Sequence, residues 1–369
     1  MTQNTHSSNG QGRNGQAQSG QAQRDERPTL ITGGAGFVGT NLAHCLLSQG
    51  QRVLLFDNLS RAGVERNLRW LQETHGDLLQ VEIADVRDSQ AVERAVESSS
   101  SVFHFAAQVA VTTSLLAPIE DFEVNARGTL NVLEAIRVLD APIALVFTST
   151  NKVYGGLDDV ALSLQNNRYE PEDATLRAHG ISEARALDFH SPYGCSKGCA
   201  DQYVLDYART FGIPAIVLRM SCIYGPHQCG NEDQGWVAHF LLRALENEPI
   251  TLFGDGKQVR DALFVDDLVD AFLTARQQIA QLSGQAFNIG GGAQNTTSLL
   301  QLLETVGALH GQTPQVEWSD WRPGDQRYYV SDVARFATAT GWEPRVDVQS
   351  GVQQLYRWLC ENVRENVVA

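Results

Sequence analysis

The sequence predicts an α/β protein: a parallel sheet covered by helices on both faces, joined to a smaller mixed α/β C-terminal lobe. Three observations lead there. Short apolar runs at 29–32, 52–57, 79–84, 101–105, 143–148 and 215–219 alternate with helical stretches. Apolar strands separated by helices belong to sheets buried on both faces. A glycine-rich turn, Gly33-Gly34-Ala35-Gly36-Phe37-Val38-Gly39, joins the first run to the first helix. After residue 220 the texture changes to loops rich in glycine and polar residues.

The elements follow in order. Residues 1–28 are rich in Gln, Asn, Gly and Ser and nearly lack large apolar side chains. They cannot bury enough surface to offset ordering, so a disordered tail is expected. The first strand begins at Thr29, and the helix after the glycine turn carries Leu42, Leu46 and Leu47 on one side. The second strand ends at Asp57, before Asn58-Leu59-Ser60. The third leads to Asp85-Val86 and the fourth to Ala106-Ala107-Gln108. The fifth runs through Thr148 into Ser149-Thr150-Asn151-Lys152-Val153-Tyr154-Gly155. A helix after Pro192 carries Tyr193 and Lys197. Helices are expected at 236–245 and 266–278, loops at 223–228 and 253–258, and short mixed elements from about 290 to 362. Trp318, Trp321, Trp342 and Trp358 are expected to be mainly core. The implied division is a tail at 1–28, a dinucleotide-binding domain at 29–220 to which part of 260–290 returns, and a mainly substrate-binding lobe at 221–362.

Composition narrows the function. The 369 residues are 43% hydrophobic, ample for one large α/β unit or two coupled domains. A formal charge of −15 disfavours nucleic acid and anionic membrane as partners. No apolar run approaches the ~18 residues of a membrane span, and the N-terminus lacks the apolar core of a secretory signal. Cys45, Cys195, Cys199, Cys222, Cys229 and Cys360 are scattered without zinc-type spacing, which reads as buried thiols in a reducing cytoplasm. No metal site is expected.

The glycine turn supplies a chemistry. Gly34, Gly36 and Gly39 satisfy G-x-G-x-x-G, and Gly33 adds a further glycine. A tight turn, a close approach of backbone to a pyrophosphate and an open helix N-terminus make a Rossmann-type, doubly wound dinucleotide site. Asp57 would accept hydrogen bonds from the adenosine ribose hydroxyls and repel a 2′-phosphate, so NAD is favoured over NADP. Asp85-Val86 would lie near the adenine, and Ala106-Ala107-Gln108 would let the cofactor backbone pass.

Tyr193 and Lys197 stand four apart on one helix face. An ammonium beside the phenol is expected to lower its pKa from about 10. Ligands in such folds bind at the C-terminal ends of the strands, which brings Thr150 to the same cleft. Phenol, ammonium and hydroxyl beside a nicotinamide make a hydride-transfer site. Tyr193 would exchange the proton, Lys197 would tune it and hold the ribose, and Thr150 would hydrogen-bond the reacting oxygen. A diphosphate in so acidic a chain needs fixed cations, and Arg260 and Arg322 are the candidates. Each could instead be a surface arginine paired with Asp261 or Asp325. Asn151 and Lys152, next to Thr150, are candidates for substrate contact. His190 and His239 read as packing or hydrogen-bonding residues.

Together these strings resemble the extended short-chain dehydrogenase/reductase superfamily over residues 29 to about 360. The matching pieces are 32–39, Asp57-Asn58-Leu59-Ser60, His104-Phe105-Ala106-Ala107-Gln108, Asn125-Ala126-Arg127-Gly128-Thr129 and Tyr193 with Lys197. The resemblance implies a nucleotide-sugar substrate, a tightly held NAD, and a homodimer or homotetramer built on a helix bundle. It adds Phe37, Val38, Asn58, Ser60, Asn125 and Thr148 to the cofactor contacts. Within that superfamily the 4,6-dehydratases carry Asp-Glu after the catalytic threonine, where this chain has Asn151-Lys152. The strings 148–155, Arg219-Met220-Ser221-Cys222, 188–198, 232–240 and 254–261 are most similar to the CDP-paratose 2-epimerase family. That similarity implies a CDP-deoxyhexose inverted at C2 and makes Cys222 a substrate contact. A 4-epimerase or 4-reductase is the alternative, and a non-catalytic NAD-binding scaffold would be expected to lack part of the Thr150, Tyr193 and Lys197 triad. His227 and Cys229 depart from the pattern, the stretch 156–179 looks long, and all three are expected to border the sugar pocket.

Overall fold

The computed structural model describes residues 27–365. Positions 1–26 of the expected tail lie outside the described residues. Seven strands form the central sheet: β1 (Thr29–Thr32), β2 (Val53–Asp57), β3 (Leu79–Ile83), β4 (Ser101–His104), β5 (Ala144–Thr150), β6 (Ala215–Met220) and β7 (Ala286–Ile289). Their order is β7-β6-β5-β4-β1-β2-β3, and every pairing is parallel. The chain winds outward through β2 and β3, then returns to lay β4 against the other side of β1. That reversal opens a crevice above the C-terminal ends of β1 and β4, where ligands bind in such sheets.

Burial explains the alternating pattern. All residues of β1, β4 and β7 are buried. One face is covered by Leu42, Leu46 and Leu47 together with Leu268 and Phe272. The other is covered by Val92, Val96, Leu133, Ile136 and Val204. Each such side chain contributes about 1.5–3 kcal/mol on full burial. The third strand departs from expectation: β3 is an edge, and its Ile83 is 56% exposed.

The smaller lobe has its own core, in which Val237, Leu241, Leu252, Leu302 and Leu355 meet. Part of the stretch 223–228, expected to be a loop, is a strand: Cys222–Tyr224 pairs in parallel with Val259–Phe264. The long stretch 156–179 is an antiparallel hairpin, Leu162–Gln165 with Arg168–Pro171, followed by a helix at Ala174–His179. Asn166 and Asn167 turn it with φ of 49° and 59°, a left-handed pair that asparagine tolerates. Of the four tryptophans, Trp342 is buried, whereas Trp318 and Trp321 are 59% and 38% exposed. The thiols also differ from expectation: Cys195 is exposed and the other five are partly exposed. Among the described residues, no helix is long and apolar enough to cross a membrane.

Candidate active site

A cavity of about 770 Å³ runs from the glycine turn, across the ends of β1, β4 and β5, into the smaller lobe. At one end Gly33 receives the chain from β1 with φ +67°, and its N–H donates to Phe56 O at 2.8 Å. A Cβ there would stand 2.7 Å from Ala106 N. A Cβ on Gly39 would stand 2.6 Å from Gly34 Cα, so the turn packs directly on the helix Phe37–Ser48. Gly36 caps that helix without any side-chain hydrogen bond, leaving its first N–H groups to a ligand. Asp57 closes this end: Oδ2 accepts from Ala35 N at 3.0 Å and Oδ1 from Leu59 N at 2.8 Å. Burial holds its pKa above the ordinary value, against the pull of those N–H groups.

Phe37, Val38, Asn58, Ser60, Asp85, Val86, Ala106, Ala107, Gln108 and Thr148 line the same cavity. Asp85 is held to about 2 chiefly by Arg87, which reaches it at 2.8 Å, with Asn58 Nδ2 also at 2.8 Å. Asn125 is placed differently from expectation. It is buried behind the Gln108 loop, accepting from Gln108 N at 2.9 Å and donating to Gln108 O at 3.0 Å. It shapes the wall without facing the cavity.

Thr150, Tyr193 and Lys197 converge midway. Tyr193 and Lys197 project from the helix Ser191–Phe211, opened by Pro192. Thr150 ends β5, and its hydroxyl hydrogen-bonds Tyr193 and accepts from Lys152 N at 3.2 Å. The expected lowering of the phenol pKa is not seen. Burial pushes Tyr193 up to about 12; the Thr150 hydroxyl opposes this and the Asp121 charge adds to it. The Lys197 ammonium is instead anchored elsewhere: Nζ donates to Thr148 O at 2.7 Å and lies 4.4 Å from the Phe147 ring centre. Burial brings Lys197 down to about 8.

The far end carries the cations. Lys152 Nζ donates to Gly324 O at 2.9 Å, and burial followed by the nearby Arg260 brings it down to about 8. Arg260 meets Asp325 at 2.6 Å. Asp261, the other acid considered for it, is fully buried against Ser221 and Gly292. Arg322 lies 3.6 Å over the Phe253 ring and pairs with Asp233 at 3.4 Å. Asn151 donates to Gln326 Oε1 at 3.2 Å. Cys222 accepts from Trp236 Nε1 at 3.0 Å, and burial pushes its thiol up to about 12, so it is a wall and not a nucleophile.

Of the unfamiliar segments, His227 and Cys229 line the cavity and the 156–179 stretch does not. His227 and Cys229 lie on the glycine-turn side: Asn67 Nδ2 donates both to Ala35 O at 3.2 Å and to His227 O at 3.1 Å, and Cys229 Sγ packs against Gly63. The hairpin lines none of the cavity; it leans on the smaller lobe through Tyr169, whose hydroxyl donates to Asp255 at 2.7 Å. Sequence reasoning missed Asp121, Asn67 and Gln326, all three buried side chains whose roles depend on partners far away in sequence.

The backbone cradle, the open helix end and the acidic ribose acceptor fit a dinucleotide. With the Tyr-Lys-Thr cluster beside them, fold and site define an NAD-binding enzyme of the short-chain dehydrogenase type. Residues 29–290 match the NAD dependent epimerase/dehydratase family. The chain belongs to that family, and its cofactor is NAD. It is 44% identical to CDP-paratose 2-epimerase of Salmonella typhi over 342 residues, covering 89% of this chain and 98% of that protein. It is 31% identical to dTDP-glucose 4,6-dehydratase 1 of Escherichia coli, covering 91% and 93%. Among solved structures, UDP-glucose 4-epimerase of Thermus thermophilus in complex with NAD superposes with a TM-score of 0.75 at 31% identity, covering 90% of this chain and 99% of that one.

Proposed function

We propose that this enzyme is a nucleotide-sugar 2-epimerase that inverts C2 of a CDP-linked deoxyhexose, converting CDP-paratose to CDP-tyvelose. The observation that carries the reading is the near full-length 44% likeness to a CDP-paratose 2-epimerase. The site agrees: in the cavity wall Thr150 is followed by Asn151 and Lys152, and not by the Asp-Glu pair that dehydration would use there.

Tyr193 takes the proton of the C2 hydroxyl and later returns it, Thr150 holds the same oxygen, and Lys197 keeps a positive charge beside the pair. When bound, NAD supplies the acceptor and donor of hydride and a positive charge next to the phenol. The resulting 2-keto sugar turns within the cavity so that its opposite face is reduced. Arg260 and Arg322 exchange their carboxylate partners for the diphosphate and hold the nucleotide while the sugar turns. On this reading 29–220, with the returning strand near 286–289, is the NAD domain and most of 221–362 is the nucleotide-sugar lobe. The assembly is a homodimer or homotetramer, supported by the exposed apolar side chains of Leu116, Ile119, Phe122 and Phe211 on neighbouring helices.

The test is proton NMR of the purified enzyme with CDP-paratose, CDP-glucose and UDP-glucose in turn, without added cofactor. Inversion at C2 of CDP-paratose is expected. Inversion at C4 of any of the three would replace this reading with a 4-epimerase.

A further inference from the structure

Beneath the catalytic helix lies a carboxylate that the reaction above does not use. Asp121 sits in the short helix Pro118–Phe122 and is fully buried. Ser196 Oγ donates to its Oδ2 at 2.5 Å, and Asn125 Nδ2 approaches its Oδ1 at 3.2 Å. The same Asn125 amide lies 3.0 Å from Ser196 Oγ and also grips Gln108 O. Ser196 is the residue before Lys197, and its hydroxyl is 3.2 Å from Tyr193 O. The carboxylate is thus wired on one side to the helix of Tyr193 and Lys197, and on the other to the loop forming the cofactor wall.

Its charge lacks the usual answer. A buried carboxylate is normally paired with a cation. The other acid facing Lys197, Asp201, is matched by Arg219, with both guanidinium contacts at 2.9 Å. Among the described residues no Lys, Arg or His forms an ion pair with Asp121, and Lys197 is the one cation whose charge reaches it. Of the other titratable groups around Lys197, His104 is neutral in its buried hydrogen bonds, and burial holds the Tyr193 phenol above its ordinary value until a cationic cofactor stands beside it. Glu120 and Glu123, on the turns flanking Asp121, point to Arg87 and Arg127 instead.

We propose that Asp121 is the positioning residue of the Tyr193–Lys197 pair: its carboxylate holds the ammonium charged at a distance and, through Ser196 and Asn125, locks the catalytic helix to the Gln108 loop. The arrangement has a cost that defines its role. The same charge that keeps Lys197 protonated opposes ionisation of Tyr193. Asp121 therefore sets the pH at which both residues hold the right protonation state. Removing it lets Lys197 lose its proton earlier and lets the phenol ionise at lower pH.

This rests on the roles given above to Tyr193 and Lys197, and the experiment separates the two. The pH dependence of kcat is measured for wild type, Tyr193→Phe, Asp121→Asn and Ser196→Ala, on whichever sugar nucleotide the enzyme turns over. Phenolate absorbance is titrated in parallel, with Tyr193→Phe subtracted to isolate Tyr193. Asp121→Asn is expected to move the alkaline limb of kcat and the Tyr193 titration to lower pH by about one unit. Ser196→Ala keeps the charge, so it lowers kcat roughly tenfold with neither curve displaced. Full activity in Tyr193→Phe would overturn the catalytic reading itself. An inactive Tyr193→Phe, together with Asp121→Asn curves that coincide with wild type, would overturn only the role of Asp121. If Asp121→Asn does not fold, a displaced titration in Ser196→Ala overturns the proposal, because that variant retains the charge.

Discussion

A single histidine shows how far the site depends on settled protonation. His104 ends β4 and is fully buried. Its Nδ1 lies 2.6 Å from Thr32 Oγ1, and its Nε2 lies 3.0 Å from Thr129 Oγ1. Thr129 already donates its proton to Asn125 O at 2.6 Å, so it can only accept from the ring. His104 is therefore the Nε2–H tautomer, accepting at Nδ1 from Thr32. Burial first, and the Lys197 charge second, bring its pKa down to about 3. The unfolded chain takes up that proton near pH 6.5, and the folded chain does not until about pH 3. The neutral ring's contribution is complete above pH 6.5 and is lost as pH falls through that window, at roughly 1.4 kcal/mol per unit. Thermal melts of wild type should weaken steadily from pH 6.5 downward, and His104→Gln should flatten that slope while melting lower at neutral pH. An unchanged slope in the variant would remove His104 from the account. At this scale the sequence was only partly readable. Tyr193, Lys197 and Thr150 are marked by spacing and strand position, whereas the phenol's raised pKa reflects burial, which no spacing reveals.

Among elements, the glycine turn was the most legible because its requirement is steric and local. Gly33 combines a left-handed backbone with a neighbour 2.7 Å from any added Cβ. Gly33→Ala should leave the sheet folded by circular dichroism but sharply reduce the NAD released on denaturing the purified protein. Wild-type NAD content in the variant would sink the assignment of the turn. The hairpin within 156–179 was legible in its turn residues and not in its location. An Asn-Asn pair favours a left-handed turn, but nothing local says that the hairpin packs on Asp255 and Lys257 and stays off the cavity wall. The surroundings of His227 and Cys229 were hidden for the same reason, since their neighbours Asn67 and Gly63 come from a helix and a turn far earlier in the chain. The edge position of β3 also follows from strand order, which the apolar run alone does not encode.

The whole molecule joins a parallel sheet carrying the glycine turn to a lobe bearing Arg260 and Arg322, and the cavity occupies the seam. Its surface adds a prediction. Leu116 and Ile119 are 87% and 78% exposed on consecutive short helices, with exposed Phe122 ending the second of them and exposed Phe211 ending the helix Ser191–Phe211. Leu116→Asp with Ile119→Asp should halve the mass seen by light scattering, whether a dimer falls to monomers or a tetramer to dimers. A wild-type monomer would dismiss the assembly outright. The central sheet has a consequence of another kind. Its strand β6 is almost wholly buried, yet its outer partner β7 is drawn from residues 286–289, after much of the smaller lobe has been made. As the chain leaves the ribosome, one apolar edge of the nascent sheet stays open until that late segment emerges. Translation speed across the intervening region, and any chaperone that shields an unfinished strand, thereby become determinants of yield for this enzyme.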